Sequence, residues 1–140
     1  MIVDALRLYD QECLSNPKTG ERGDCTRACV RTLAQCDLED LPHPVARDGG
    51  WNDDFYEALE AAGLVLNFCR CRDGIDYSPL PRVVAAGGPT VRTDPEKGNV
   101  THMVIWDRVA ERCLHDPHPS RAGLLSVESF YWLERLEVAA

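Results

Sequence analysis

At Gly63 the spacing of apolar residues changes, and a chain that is helical before such a point and extended after it has few ways to bury its faces. Upstream, Cys25, Ala28, Cys29, Leu33 or Ala34, and Cys36 recur every three or four residues behind Asp24, a good N-cap, and predict an amphipathic helix over 25–36. A second helix is predicted to start near Asn52, with Trp51, Phe55, Leu59 and Ala62 on one face and Gly63 as its C-terminal stop. Downstream, residues 64–71, 82–86, 101–107, 112–116 and 126–136 read as strands. The expected class is α+β, with N-terminal helices packed against a C-terminal antiparallel β-sheet in a single domain over 1–140.

The connections are read from their turn residues. Asn16-Pro17-Lys18-Thr19-Gly20 and Glu21-Arg22-Gly23 mark an ordered loop over 11–23, and Pro42 and Pro44 predict a turn or one-turn helix over 37–45. Ile2, Val3, Leu6 and Leu8 fit a short strand or a helical turn equally well. Pro89, Pro95 and Gly98 predict a mobile loop over 87–99, bordering a cleft.

A length of 140 residues suffices for one core without disulfides or metal. The formal charge of −8, with no basic patch in the sequence, argues against a nucleic-acid partner. Asp4 and Arg7 interrupt the first apolar stretch and no run is long enough to span a bilayer, so neither export nor a membrane partner is expected, and the chain is placed in the cytoplasm. Seven cysteines, an odd number, then read as reduced thiols.

Cys25 stands out among them. The unpaired N–H groups and the dipole of a first helical turn favour negative charge, and Gly23 lets the backbone approach closely there. A nucleophilic cysteine needs a base, and the base a group that holds its tautomer. A hairpin centred on Val109 sets His102 opposite Asp116, Val104 opposite Leu114 and Trp106 opposite Arg112, at the cost of Asp107 facing Glu111. A slip of one residue would set His115 opposite His102 instead. Each residue also has a plainer role: Cys25 as a core or surface thiol, His102 as a hydrogen-bonded structural histidine, Asp116 as the turn initiator before Pro117.

Gly23-Asp24-Cys25 opening a helix, Leu41-Pro42-His43, a Gly-Pro loop leading into His102-Met103-Val104-Ile105, and the run His115-Asp116-Pro117-His118-Pro119-Ser120-Arg121-Ala122-Gly123-Leu124 together resemble small papain-like cysteine-peptidase proteins of bacteria and phages. The order Cys, His, Asp is also similar to that of bacteriocin-processing peptidases and of papain-like amidases. The resemblance implies a papain-like fold and a cysteine hydrolase, a peptidase or amidase, with Cys25 as nucleophile, His102 as base and Asp116 as orienting acid. It further implies an upstream glutamine as oxyanion donor, for which Gln11 is the candidate, although residues 18–22 look like an insertion that separates it from Cys25. The implied partner is a peptide or amide substrate; the same triad also serves acyltransferases and transglutaminase-like enzymes, and the fold can serve as a binding module.

No cofactor is called for by the sequence. Cys69 and Cys71 alternate on a strand but lack a second close ligand pair, so structural zinc is not expected. His115 and His118 either line a cleft or belong to a proline-stiffened loop that fixes Asp116, with Ser120 and Arg121 hydrogen-bonding locally.

Overall fold

In the computed structural model, which describes residues 5–16, 18–46 and 50–136, helices α1 (Cys25–Ala34) and α2 (Asp53–Ala61) precede strands β1 (Leu64–Arg70), β2 (Val83–Asp94), β3 (Gly98–Asp107), β4 (Arg112–His115) and β5 (Ser129–Arg135). All pairings are antiparallel, in the order β1-β5-β2-β3-β4. The α+β class with helices against an antiparallel sheet is therefore observed.

Local chemistry explains the helix ends. The Asn52 side chain accepts the Asp54 N–H at 3.1 Å, and Asp53 and Asp54 set negative charge against the α2 dipole. Gly63 follows at φ +76°, a conformation that suits glycine. Helix α1 stops at Ala34, two residues before the predicted end, because Gln35 turns left-handed at φ 53° and its N–H returns to Arg31 and Thr32 carbonyls. Its side chain also donates to the Thr32 carbonyl, which compensates a conformation unusual for glutamine.

Helix α1 is buried on two sides. Cys29 packs with Val83, Ala85, Met103 and Ile105 of the sheet, and Val30 packs with Leu41, Phe55, Leu59 and Leu64. The alternate residues Val84, Ala86 and Val104 join Phe130 on the far face, so β2 and β3 are covered on both sides. Ile2 and Val3 lie outside the described residues; Leu6 packs against the Cys29 cluster and follows a 3₁₀ turn at Ala5.

Three further expectations need correction. The predicted mobile loop over 87–99 is instead the outer half of a long β2–β3 hairpin, closed through Thr93↔Asn99 and Asp94↔Gly98. Pro89 sits where the register shifts, a place where a missing N–H is tolerated, and Asp94 secures the turn by accepting the N–H groups of Glu96 and Lys97. Strand β5 starts at Ser129 rather than 126, because the preceding segment crosses β2: the Leu125 N–H donates to Pro89 and the Glu128 N–H to Gly87.

The third correction is the β3–β4 register. The pairs are Asp107↔Arg112, Trp106↔Cys113 and Ile105↔His115, with a shift between the last two, so His102 has no β4 residue opposite it. Buried Asp107 drives this register. It binds Arg82, accepts the N–H groups of Val109 and Ala110, and is held at about 2 chiefly by the Arg82 hydrogen bond. Glu111 turns left-handed at φ 53°, and Asp107 pairs with a cation instead of another carboxylate.

The crossing segment leaves no room at Gly88, where an added Cβ would sit 2.0 Å from the Ser126 carbonyl oxygen. Gly88→Ala should destabilise the protein by about 1–3 kcal/mol, the usual cost of overpacking. Urea unfolding checks this; an unchanged midpoint would mean that the segment does not press on β2.

Candidate active site

Cys25, half-buried, is the first residue of α1. Asp24 occupies the predicted cap position but caps nothing with its side chain. One carboxylate oxygen instead accepts the N–H groups of Glu12 (3.0 Å) and Cys13 (2.9 Å), and the other binds the Arg27 guanidinium at 2.7 and 2.9 Å. The loop before α1 is thereby tied to the helix, and the first-turn amides beside Cys25 keep their donors free of any side-chain cap.

His102, on β3, is buried, and its Nε2 meets the Asp116 carboxylate at 2.6 Å. The Cys25 thiol lines the same cleft as this ring and interacts with it electrostatically. With Nε2 occupied, Nδ1 is the nitrogen left for the sulfur. The contact with Asp116 does not arise from opposed strand positions. Residues beyond β4 leave the sheet and fold back: Asp116 accepts the His118 N–H at 2.9 Å on one oxygen and the Gly123 N–H at 2.8 Å on the other. Arg121 donates to the Asp116 carbonyl and to Asp10, while the Ser120 hydroxyl meets His118 Nδ1 at 2.8 Å. His115 turns the other way, its Nε2 donating to Asp10 at 2.9 Å and lying 3.2 Å from the Tyr9 carbonyl.

Burial alone would lower the His102 imidazole; hydrogen bonds to Asp116 and Cys25 outweigh it and push the ring up to about 9. Burial would likewise raise Asp116, but His102 and the two backbone N–H groups hold it well below the usual carboxylate range. His118, whose ring stands edge-on to His102 with centroids 6.0 Å apart, is pushed down by burial and by Arg92. Among the other cysteines, burial raises Cys13, Cys29, Cys71 and Cys113, and all seven are free thiols.

Cys25 and His102 open onto a cleft of about 610 Å³. Gln11 lines it too, with its Nε2 donating to the Cys13 carbonyl at 3.0 Å and its Oε1 buried without a partner among the described residues. One Gln11 N–H is thus committed and one is not. Phe68, Arg70 and Arg92 also border the cleft and were not singled out from the sequence. The i, i+2 spacing of Phe68 and Arg70 was the available signal, since it sets both on one strand face. Among the described residues, no group of three or more His, Cys, Asp or Glu side chains is disposed to hold a metal ion, and no helix is long and apolar enough to cross a membrane.

The arrangement can move a proton from sulfur to imidazole, hold the resulting cation against a carboxylate, and present helix amides to a developing oxyanion. Comparison with protein-family models, curated proteins and solved structures gives no match.

The His102 ring should titrate near 9 by ¹⁵N NMR and fall in Asp116→Asn and, by less, in Cys25→Ala, because these two groups raise it. The ring is then cationic through neutral pH and loses its proton as pH rises through that value. A midpoint at or below 6.5 in the unaltered protein would contradict the pairing.

Proposed function

We propose that this chain is a cysteine-dependent hydrolase of the papain-like type, a peptidase or amidase acting through Cys25, His102 and Asp116. One observation carries the reading: a buried imidazole is hydrogen-bonded to a buried carboxylate and shares the edge of a cleft with a thiol at an uncapped helix N-terminus, which interacts with it electrostatically.

In this mechanism the Cys25 proton already rests on His102 Nδ1, so that a thiolate faces an imidazolium, and the thiolate attacks the amide carbonyl carbon. The Cys25 N–H, with the uncommitted Gln11 N–H, stabilises the oxyanion. Collapse of the tetrahedral intermediate breaks the C–N bond, His102 gives its proton to the leaving amine, and a thioester remains on Cys25. Water, deprotonated by His102, then attacks the thioester, and the Cys25 sulfur leaves. Asp116 stabilises the imidazolium in both halves and never needs to take the proton.

An electrophilic probe such as iodoacetamide, followed by peptide mapping, should label Cys25 ahead of the other six cysteines near neutral pH. Burial disfavours the thiolate at Cys13, Cys29, Cys71 and Cys113, whereas Cys25 has a basic partner. Cys25→Ala should abolish amide hydrolysis with little loss of stability, since a small residue replaces a small one. Equal labelling of all native cysteines, or full turnover by the alanine variant, would overturn the assignment.

A further inference from the structure

Four cations line the cleft that holds Cys25 and His102: Arg22 before α1, Arg70 at the end of β1, Arg92 in β2 and Lys97 in the hairpin turn. The chain as a whole carries −8, so overall composition does not account for this concentration. Two carboxylates share the cleft, Asp94 and Glu128, and Asp94 is engaged with the Glu96 and Lys97 amides of its own turn. Among the described residues, none of the four cations has a carboxylate within ion-pair distance, whereas Arg7, Arg27, Arg31, Arg82 and Arg121 all do.

Arg92 sharpens the point. Its Nε is buried and meets no acceptor among the described residues, although a buried N–H left unmet is costly. A carboxylate fits such a guanidinium with two parallel hydrogen bonds. Beside these cations Phe68 is 51% exposed, its ring against Tyr131 at 5.0 Å between centroids, offering an apolar surface in the same cleft.

We infer that the cleft selects acidic peptides, binding a carboxylate near the scissile amide against Arg70 and Arg92, with Arg22 and Lys97 adding to the field and Phe68 taking an apolar neighbour. This substrate class rests on the hydrolase reading for its turnover but not for its binding. The carboxylate has two possible sources, an Asp or Glu side chain or a terminal α-carboxyl. A nucleic acid fits less well: it carries phosphates along its length, and those beyond the cleft would meet a protein of net negative charge.

The test uses the full-length Cys25→Ala protein and fluorescein-labelled octapeptides with Glu, Gln or Lys fixed at each position in turn on a mixed background, each as free acid and as C-terminal amide. Fluorescence anisotropy should show Glu peptides binding about tenfold tighter than Gln peptides, the scale of one added charge-assisted hydrogen bond, with the advantage shrinking as salt rises. A preference for Glu over Gln assigns the carboxylate to a side chain; tighter binding of free acids than of amides, whichever residue is fixed, assigns it to the terminus. Arg70→Gln and Lys97→Gln, at exposed positions, should each reduce the preference without loss of fold, and Arg92→Gln should reduce it most. Equal binding of Glu and Gln peptides together with equal binding of free acids and amides, no binding of any, or tighter binding of a single-stranded oligonucleotide overturns the inference. Cys25-dependent cleavage of neutral peptides by unaltered protein would then leave the hydrolase reading standing. Tight Glu-peptide binding without cleavage would remove the hydrolase reading and keep the acidic ligand.

Discussion

A single buried carboxylate, that of Asp24, joins the two parts of the molecule on which the site is built. Its oxygens are divided between two loop amides and the Arg27 guanidinium, so the loop, the helix and the ion pair stand or fall together. Removing one partner of a buried ion pair costs about 3–5 kcal/mol. Glu12 reinforces the tie, reaching Arg31 at 3.1 Å and Arg27 at 3.6 Å. Because Asp24 turns back toward the loop, it does not consume the amides of the α1 first turn, and it draws Gln11 into the cleft wall beside Cys25. One side chain thus both anchors the loop and leaves the helix terminus open.

The second constraint is the shell around Asp116. A carboxylate that accepts two backbone N–H groups and an imidazole has little freedom to rotate, and it fixes which ring nitrogen of His102 faces the sulfur. The loop is itself braced by the Gln11 N–H on the Pro117 carbonyl and by Arg121 between Asp10 and Asp116. The segments on either side of the cleft are therefore connected, and the relay geometry is held from both chain regions at once.

The sequence made the two helices and all five strands legible, because amphipathic spacing and alternation are local signals. The nearness of His102 to Asp116 was also anticipated, but from a register the protein does not adopt. Asp107 decides the turn through its bonds to Arg82 and two amides, a distant partner that no hairpin rule contains. The outer half of the β2–β3 hairpin stayed hidden because Pro89, Pro95 and Gly98 carry turn chemistry, and here two of them serve the bend and one a register shift. Reading that segment as a loop also concealed Arg92 and Lys97, so the cationic wall emerged only once the strands were in place.

The order of strands has a consequence for how the molecule comes together. Helices α1 and α2 and strand β1 share the cluster of Val30, Phe55, Leu59 and Leu64, and β2, β3 and β4 follow one another as hairpins, so each half has neighbours close in sequence. Strand β5 is inserted between the halves, pairing Leu64–Arg70 on one side and Ala85–Gly87 on the other. Such long-range pairing meets its loop-closure entropy before it gains contacts and slows folding. On the ribosome, β1 lacks its β5 partner until residues 129–135 have emerged, and the wall bearing Phe68 and Arg70 joins the cleft last.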